Sequence, residues 1–366
     1  MNKRVLIALG SILGLIIVIV VFIVIVNSRS KAPSVTDQNN ADQTNQDTNQ
    51  TTQKPNPDQL TKISDASVIA PILSYDGKAS WFFTVDGHLY KLNLLTGLKQ
   101  EYLLPTYLGI TDAIWPLNGN DFIVVTGTGA SKVFNYYNSE TKVFSEYPSN
   151  VKAVDFTPDG NHVVYNWVSG AKSTLSLADP NLKNFRNVLD LPAGGLTLRV
   201  SALGNKVFAY DHANSQDGRL NLINLDSKKL VTIRTSQDNE VVWSPDGKKF
   251  VYNRDPDGKT KDNSLWLGNS EEVTNKKLNI NGAVSKVVFD QSGENLYVSA
   301  VGIDDQTESI WKIDLQTLQK TKVFKVKDLV TKIDASDLLI SPDSQTLYFK
   351  NSDGFLYSVT LSKEAK

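Results

Sequence analysis

The 366-residue chain has no cysteine, one methionine, three histidines and a formal net charge of only -1. The missing cysteines exclude disulfide staples, thiolate nucleophiles, cysteine-ligated metals and lipid anchoring through an N-terminal cysteine. They do not set the compartment, because a domain of this size buries enough core to do without disulfides on either side of a membrane. The balance of 38 basic against 39 acidic residues leaves no basic surface of the kind nucleic acid requires. Pairs such as Lys248-Lys249 and Lys276-Lys277 read as solvated strand faces. Also absent are a G-x-S-x-G elbow, an H-E-x-x-H pair, a Walker A loop and a glycine-rich dinucleotide fingerprint. The histidines His88, His162 and His212 are too scattered to predict a triad or a metal site.

What is present begins with an uncharged apolar run, Val5 to Val26. At 1.5 Å per residue it is about 33 Å long, enough to cross a bilayer core, and it predicts a transmembrane helix after a short cytoplasmic N-terminus, residues 1–4. A cleaved signal peptide is the competing reading, but Val26-Asn27-Ser28-Arg29 offers no small-x-small site. Lys3 and Arg4 before the run, against Arg29 and Lys31 after it, orient it only weakly. Gly10 and Gly14 form a GxxxG that allows a weak helix-mediated dimer. Residues 27–61 are almost purely Asn, Gln, Asp, Thr, Ser and Pro, a composition that predicts a disordered linker with a reach of about 30 Å. Such a spacer suits the outside of a cell, where it would lift a domain off the membrane. The linker contains one Asn-x-Thr sequon, at Asn49.

Residues 62–366 carry a repeat. Turn centres stand at Gly77, Gly119, Gly160, Gly204, Gly247, Gly293 and, with serine in place of glycine, Ser344, at spacings of 42, 41, 44, 43, 46 and 51. Four residues before each centre is an apolar side chain, from Leu73 and Trp115 to Ile340, and four after is another, from Trp81 to Tyr348. Each unit therefore opens as strand, tight turn, strand, with Pro-Asp-Gly chemistry in units such as Ser244-Pro245-Asp246-Gly247. Alternating runs such as Leu220 to Leu225 and Ile310 to Leu315 supply a third strand, and a polar fourth follows. Four-stranded units at this period predict an all-β fold: a seven-bladed, alternatively six-bladed, β-propeller of four-stranded antiparallel blades.

The turns Thr157-Pro158-Asp159-Gly160, Ser244-Pro245-Asp246-Gly247 and Ser341-Pro342-Asp343-Ser344 resemble those of the TolB-like and WD-repeat-like propeller families, over residues 65–362. The resemblance implies the fold. It implies little about function, because such propellers serve envelope complexes, scaffolds and peptidases. TolB-like propellers usually have six blades, and the Gly204 unit lacks Pro-Asp. The runs Leu89-Tyr90 and Thr96-Gly97 also resemble quinone-binding propellers, but the signatures those cofactors need do not recur, and no cofactor is expected.

Chemistry is sparse. Asp155 and Asp290 lie beside innermost strands and read as solvated or turn-capping carboxylates, with a pair of channel carboxylates as the alternative. The stretch Asp255 to Asp262 looks in part like a calcium loop, but Lys259 and Lys261 oppose a cation there. The six tryptophans occupy mostly repeated apolar positions, as packing between blades requires. One asymmetry stands out: the loop between second and third strands is short in the first and last units but long in three consecutive ones. These loops predict a partner-binding rim of His212, Gln216, Asp217, Arg219, Arg254, Asp255, Asp257, Lys259, Lys261, Asp262, Asp304, Asp305 and Glu308. The expectation is a non-enzymatic, membrane-tethered, extracytoplasmic scaffold for a protein or envelope glycan, with no nucleic-acid partner. The alternative is a surface polysaccharide hydrolase or lyase using channel carboxylates.

Overall fold

The computed structural model describes residues 60–192, 196–210, 218–235, 240–254, 264–272, 274–301, 308–324 and 333–361. They form seven four-stranded antiparallel sheets, so the propeller has seven blades and not six. The first strands of the blades are Ile69–Leu73, Ile110–Ile114, Val151–Phe156, Thr197–Val200, Val241–Trp243, Val287–Phe289 and Ser336–Ile340. First strands approach one another in blades 1 and 2, 3 and 4, 5 and 6, and 6 and 7, and that of blade 7 also meets that of blade 1, so they form an inner ring around a channel. The expected span 5–26 and nearly all of the expected linker lie outside the described residues; among the described residues no helix is long and apolar enough to cross a membrane.

Blade 7 is completed from the other end of the chain. Its first three strands end with Leu356–Thr360, and its fourth is Thr61–Lys62, which places Thr61 opposite Ser358. The propeller thus starts one residue inside the segment expected to be linker. The closure is bonded at Ile63 N–H to the Leu356 carbonyl (2.9 Å) and at Leu356 N–H to the Ser64 hydroxyl (2.8 Å). Lys99 on the outer strand of blade 1 reaches back to Asp65 at 2.6 Å.

The turn register predicted from sequence is the one observed. All seven turn centres have positive φ, including Ser344 at 55°. In most units the N–H of this residue bonds the carbonyl three positions earlier, as from Gly247 to Ser244 (2.9 Å), a type I turn closed by a left-handed residue. An aspartate braces the turn: Asp246 accepts the Ser244 hydroxyl (2.6 Å) and the Lys248 N–H (3.0 Å), and Asp159 accepts the Thr157 hydroxyl (2.6 Å).

Apolar burial follows the seams between blades. Seven hydrophobic clusters each combine residues of two neighbouring blades. All six tryptophans pack against such clusters, as the sequence predicted. The seam between blades 7 and 1 buries the least, with Val68, Phe82, Leu92 and Leu356. In the seam of blades 4 and 5, Phe250 is fully buried and edge-on to Phe208, with centroids 4.8 Å apart.

Two predictions follow from this packing. A methyl group on Gly268 would sit 2.1 Å from the Phe250 ring, so Gly268→Ala should lower unfolding free energy by roughly 1–3 kcal/mol in a denaturant titration, and Phe250→Leu in the same chain should recover part of it. The Ser74 hydroxyl holds the Asp76 carboxyl below its ordinary pKa, and the Thr157 hydroxyl does the same for Asp159. For Asp246 burial pushes upward, but the Ser244 hydroxyl and the Lys248 N–H outweigh it and the net shift is downward. A depressed folded-state pKa gives stability that is present above the unfolded value, about 3.9 for Asp, and lost as pH falls through the folded value. Thermal stability should therefore drop below about pH 4, and the triple variant Asp76→Asn, Asp159→Asn, Asp246→Asn should show a shallower acid slope.

Candidate functional site in the central channel

Several inner strands bulge. The pairing of first and second strands slips between Ile110 and Asp112, between Val151 and Ala153, and between Ser336 and Leu339. A bulge sets two residues against one and re-aims side chains, and here it accompanies charged residues on strands that are otherwise apolar. Asp337 takes φ of 49° inside its bulge, a left-handed conformation that aspartate tolerates at a cost of about 1 kcal/mol.

The charged residues of the inner strands are Asp112 (blade 2), Lys152 and Asp155 (blade 3), Arg199 (blade 4) and Asp337 (blade 7); Glu240 immediately precedes the first strand of blade 5. Asp112, Arg199 and Asp337 are exposed, and Asp155 and Glu240 are partly so. The field of Asp112 reaches Asp155, Arg199 and Asp337, on three other blades. Side chains from blades 2, 3, 4 and 7 share such a neighbourhood only across the central channel.

Asp155 is the most perturbed carboxyl of the set. Burial pushes its pKa up to about 6, against the opposing pull of Arg199 and of two backbone N–H donors, and Asp112 adds to the rise. Those donors are Val200 (2.7 Å), on the next blade, and Phe156 (3.0 Å). Burial also raises Asp337, with Lys350 opposing and Asp112 adding. Arg199 is held above its ordinary value by Tyr210, with Asp155, Asp112 and Glu240 contributing. Tyr210 itself is buried and pushed up to about 12, mainly by burial. A narrow channel admits water yet replaces much of the solvent shell with protein, so exposure and shifted titration coexist here. The arrangement puts a fixed cation beside a carboxyl able to exchange a proton near neutrality.

The predicted site residues divide. Asp155 belongs to the channel group, the alternative reading of its sequence position. Asp290 does not: it is buried in its hairpin turn, where it accepts the Glu294 N–H (3.0 Å), the Asn295 side-chain amide (2.8 Å) and the Ser292 hydroxyl (2.9 Å). Of the predicted rim, Arg219 is exposed at the start of the third strand of blade 4, and Arg254 lies over the Trp266 ring, 5.0 Å from its centroid. Glu308 is committed internally, accepting from Lys286 (2.9 Å) and the Ser299 hydroxyl (2.6 Å), while Lys286 also pairs with Asp334 of blade 7. His212, Gln216, Asp217, Asp255, Asp257, Lys259, Lys261, Asp262, Asp304 and Asp305 lie outside the described residues. Sequence reading missed Asp112, Arg199, Tyr210, Glu240 and Asp337. A signal was there: a charge stands five residues before Gly160 and Gly204, at 155 and 199, and seven before Gly119 and Ser344, at 112 and 337.

No family model matches the chain, and no curated protein does. Solved structures do match in fold. An oligogalacturonate lyase in complex with manganese aligns with a TM-score of 0.60 at 14% identity, over 84% of this chain and 94% of that one. The oligogalacturonate lyase of Vibrio parahaemolyticus aligns at 0.61 and 14%, over 84% and 95%. The Cps50 (Swd1) β-propeller domain of Myceliophteria thermophila aligns at 0.60 and 12%, over 83% and 100%. At such identities the likeness shows the fold alone. It nonetheless corrects the expectation that the chain is not an enzyme: that expectation rested on missing catalytic motifs, and propellers of this fold, aligned almost end to end, include oligogalacturonate lyases. The manganese is not carried over, because among the described residues no three His, Cys, Asp or Glu side chains converge as metal ligands.

One measurement tests the channel electrostatics. An NMR titration should find Asp155 ionising near pH 6. Arg199 favours the carboxylate, so Arg199→Gln should move that titration to higher pH; an unchanged value would separate the two groups.

Proposed function

We propose that the chain is an envelope enzyme acting on an anionic polysaccharide in its central channel, with the propeller held outside the cytoplasm by residues 5–26. The observation that carries this reading is exposed Arg199 standing within the electrostatic reach of Asp155 on the neighbouring blade. An arginine fork suits a uronate carboxylate, which it can bind through two parallel hydrogen bonds. Asp155, ionised at neutral pH yet retaining proton affinity, suits removal of the proton α to that carboxylate. The carbon–hydrogen electrons then form the C4–C5 double bond as the C4–oxygen bond breaks. The departing oxygen takes a proton, which Asp155 can return. The lyase activity of the matched propellers supports this class of reaction over others.

The test is incubation of the full chain with polygalacturonate and other uronate polymers, following ultraviolet absorbance of the new double bond. Asp155→Asn should reduce turnover by about a hundredfold or more while leaving the fold intact. Arg199→Lys should raise KM more than it lowers kcat, since the bidentate contact is lost and the charge kept. New reducing ends without absorbance would indicate hydrolysis; neither signal with any uronate polymer would sink the enzyme reading. Protease applied to intact cells should release the propeller, and full protection would place it in the cytoplasm.

A second reading is capture without turnover, as a binding scaffold. It is favoured by exposed Arg219 and half-buried Arg254 beside the second-to-third-strand loops of blades 4 and 5, charges that suit an anionic glycan or protein. Binding that survives Asp155→Asn but fails with Arg219→Ala and Arg254→Ala, in the absence of products, would select it.

A further inference from the structure

A second site stands apart from the channel. On the side of the ring where the first hairpin turns emerge, blades 1 and 2 enclose a groove of about 610 Å³, within the size range of small-ligand pockets. Its apolar wall is aromatic and held in place. Trp115 donates its indole N–H to the Ala70 carbonyl (3.0 Å), stacks on Phe83 (5.7 Å) and meets Phe122 (5.0 Å). Trp81 stands edge-on to Tyr102, with centroids 5.6 Å apart. These rings serve the seam between blades, as the sequence predicted, but both indoles also line the groove.

The opposite wall is polar. Asp121 is fixed by the Ser139 N–H (2.9 Å) and hydroxyl (2.6 Å) and by the Tyr136 hydroxyl. Asn118, Asn120 and Glu140 are exposed beside it. The charged residues of the lining are Asp121 and Glu140; it holds no Lys, Arg or His. At the mouth Tyr75 is 86% exposed and Leu117 59%, apolar surface that a ligand would cover.

We propose that this groove binds a short stretch of neutral glycan. Aromatic faces cover the apolar C–H faces of a pyranose, while amide and carboxylate oxygens accept from its hydroxyls. The two carboxylates of the lining disfavour a uronate, and the nearest ammonium, that of Lys91, is engaged over the Trp81 ring, 5.3 Å from its centroid, so the chemistry is opposite to that of Arg199 in the channel. The ligand class is therefore a hexose or N-acetylhexosamine oligomer, and the site does not depend on the channel reading.

Calorimetry with the full chain tests it, using chitotriose and cellotriose as neutral probes, trigalacturonate as the anionic one and a lysine-rich peptide as the cationic one. At least one neutral trisaccharide should give a saturable heat. Tyr75→Ala and Asn120→Ala, both at exposed positions, should each weaken it by about tenfold or more with unchanged thermal unfolding. Arg199→Gln should leave it intact, which separates this site from the channel. The proposal is overturned by no saturable heat from either neutral probe, by binding that Tyr75→Ala and Asn120→Ala leave unchanged, or by a groove that takes the peptide in preference to both sugars.

Discussion

The seam between neighbouring blades is the interaction on which everything else depends. A four-stranded sheet buries its faces only by stacking on the next, and no single blade holds a core of its own. Each of the seven hydrophobic clusters accordingly draws on two blades. A row of such seams has two exposed ends unless it closes on itself. Closure falls between blades 7 and 1, where the apolar seam is smallest and the chain adds other ties. Residues Thr61–Lys62 pair with the third strand of blade 7, Lys99 reaches Asp65, and Lys62 lies over the Phe355 ring. The poorest hydrophobic seam is thus the one with an inter-terminal strand across it.

Closure creates the channel, and the channel explains the charges. An inner strand packs its apolar residues sideways into the seams, and what remains points toward the axis. Four blades use that freedom to bring Asp155, Arg199 and Asp337 within the field of Asp112. Asp155 also works across a seam, since its carboxylate takes the Val200 N–H of the following blade. The same side chain therefore fastens blades 3 and 4 and stands in the channel, so its position is as rigid as the ring. That rigidity is what a group engaged in proton transfer requires.

The two faces of the ring divide the remaining surface. On the face of the first hairpin turns, Asp-braced turns recur, and grooves open between blades 1 and 2, where the wall is aromatic, and between blades 3 and 4. On the opposite face the loops differ in length between blades, and Glu308, expected to greet a partner, instead ties blade 6 to Lys286 and so to Asp334 of blade 7. Length variation marks where a chain can change, not which side chains are free.

Local rules made most of the fold legible. A glycine or serine seven times at a spacing near 44 can only be a turn that needs positive φ, and apolar residues four positions to either side must be strands packed in a seam. Turn type and the burial of the tryptophans follow from that register, whereas the blade number, seven or alternatively six by the sequence, was decided by the seven sheets. The N-terminal partner of blade 7 did not, because Thr61–Lys62 has no strand pattern of its own and becomes a strand only where Leu356–Thr360 offers an open edge. Asp290 and Asp155 look alike in sequence, each one step from an inner strand's end, yet one caps a turn and the other enters the channel. The sequence alone determined the repeat, since turns and strands answer to neighbours in the chain. The site was decided by tertiary structure alone, because residues 112, 155, 199 and 337 meet only after the ring has closed.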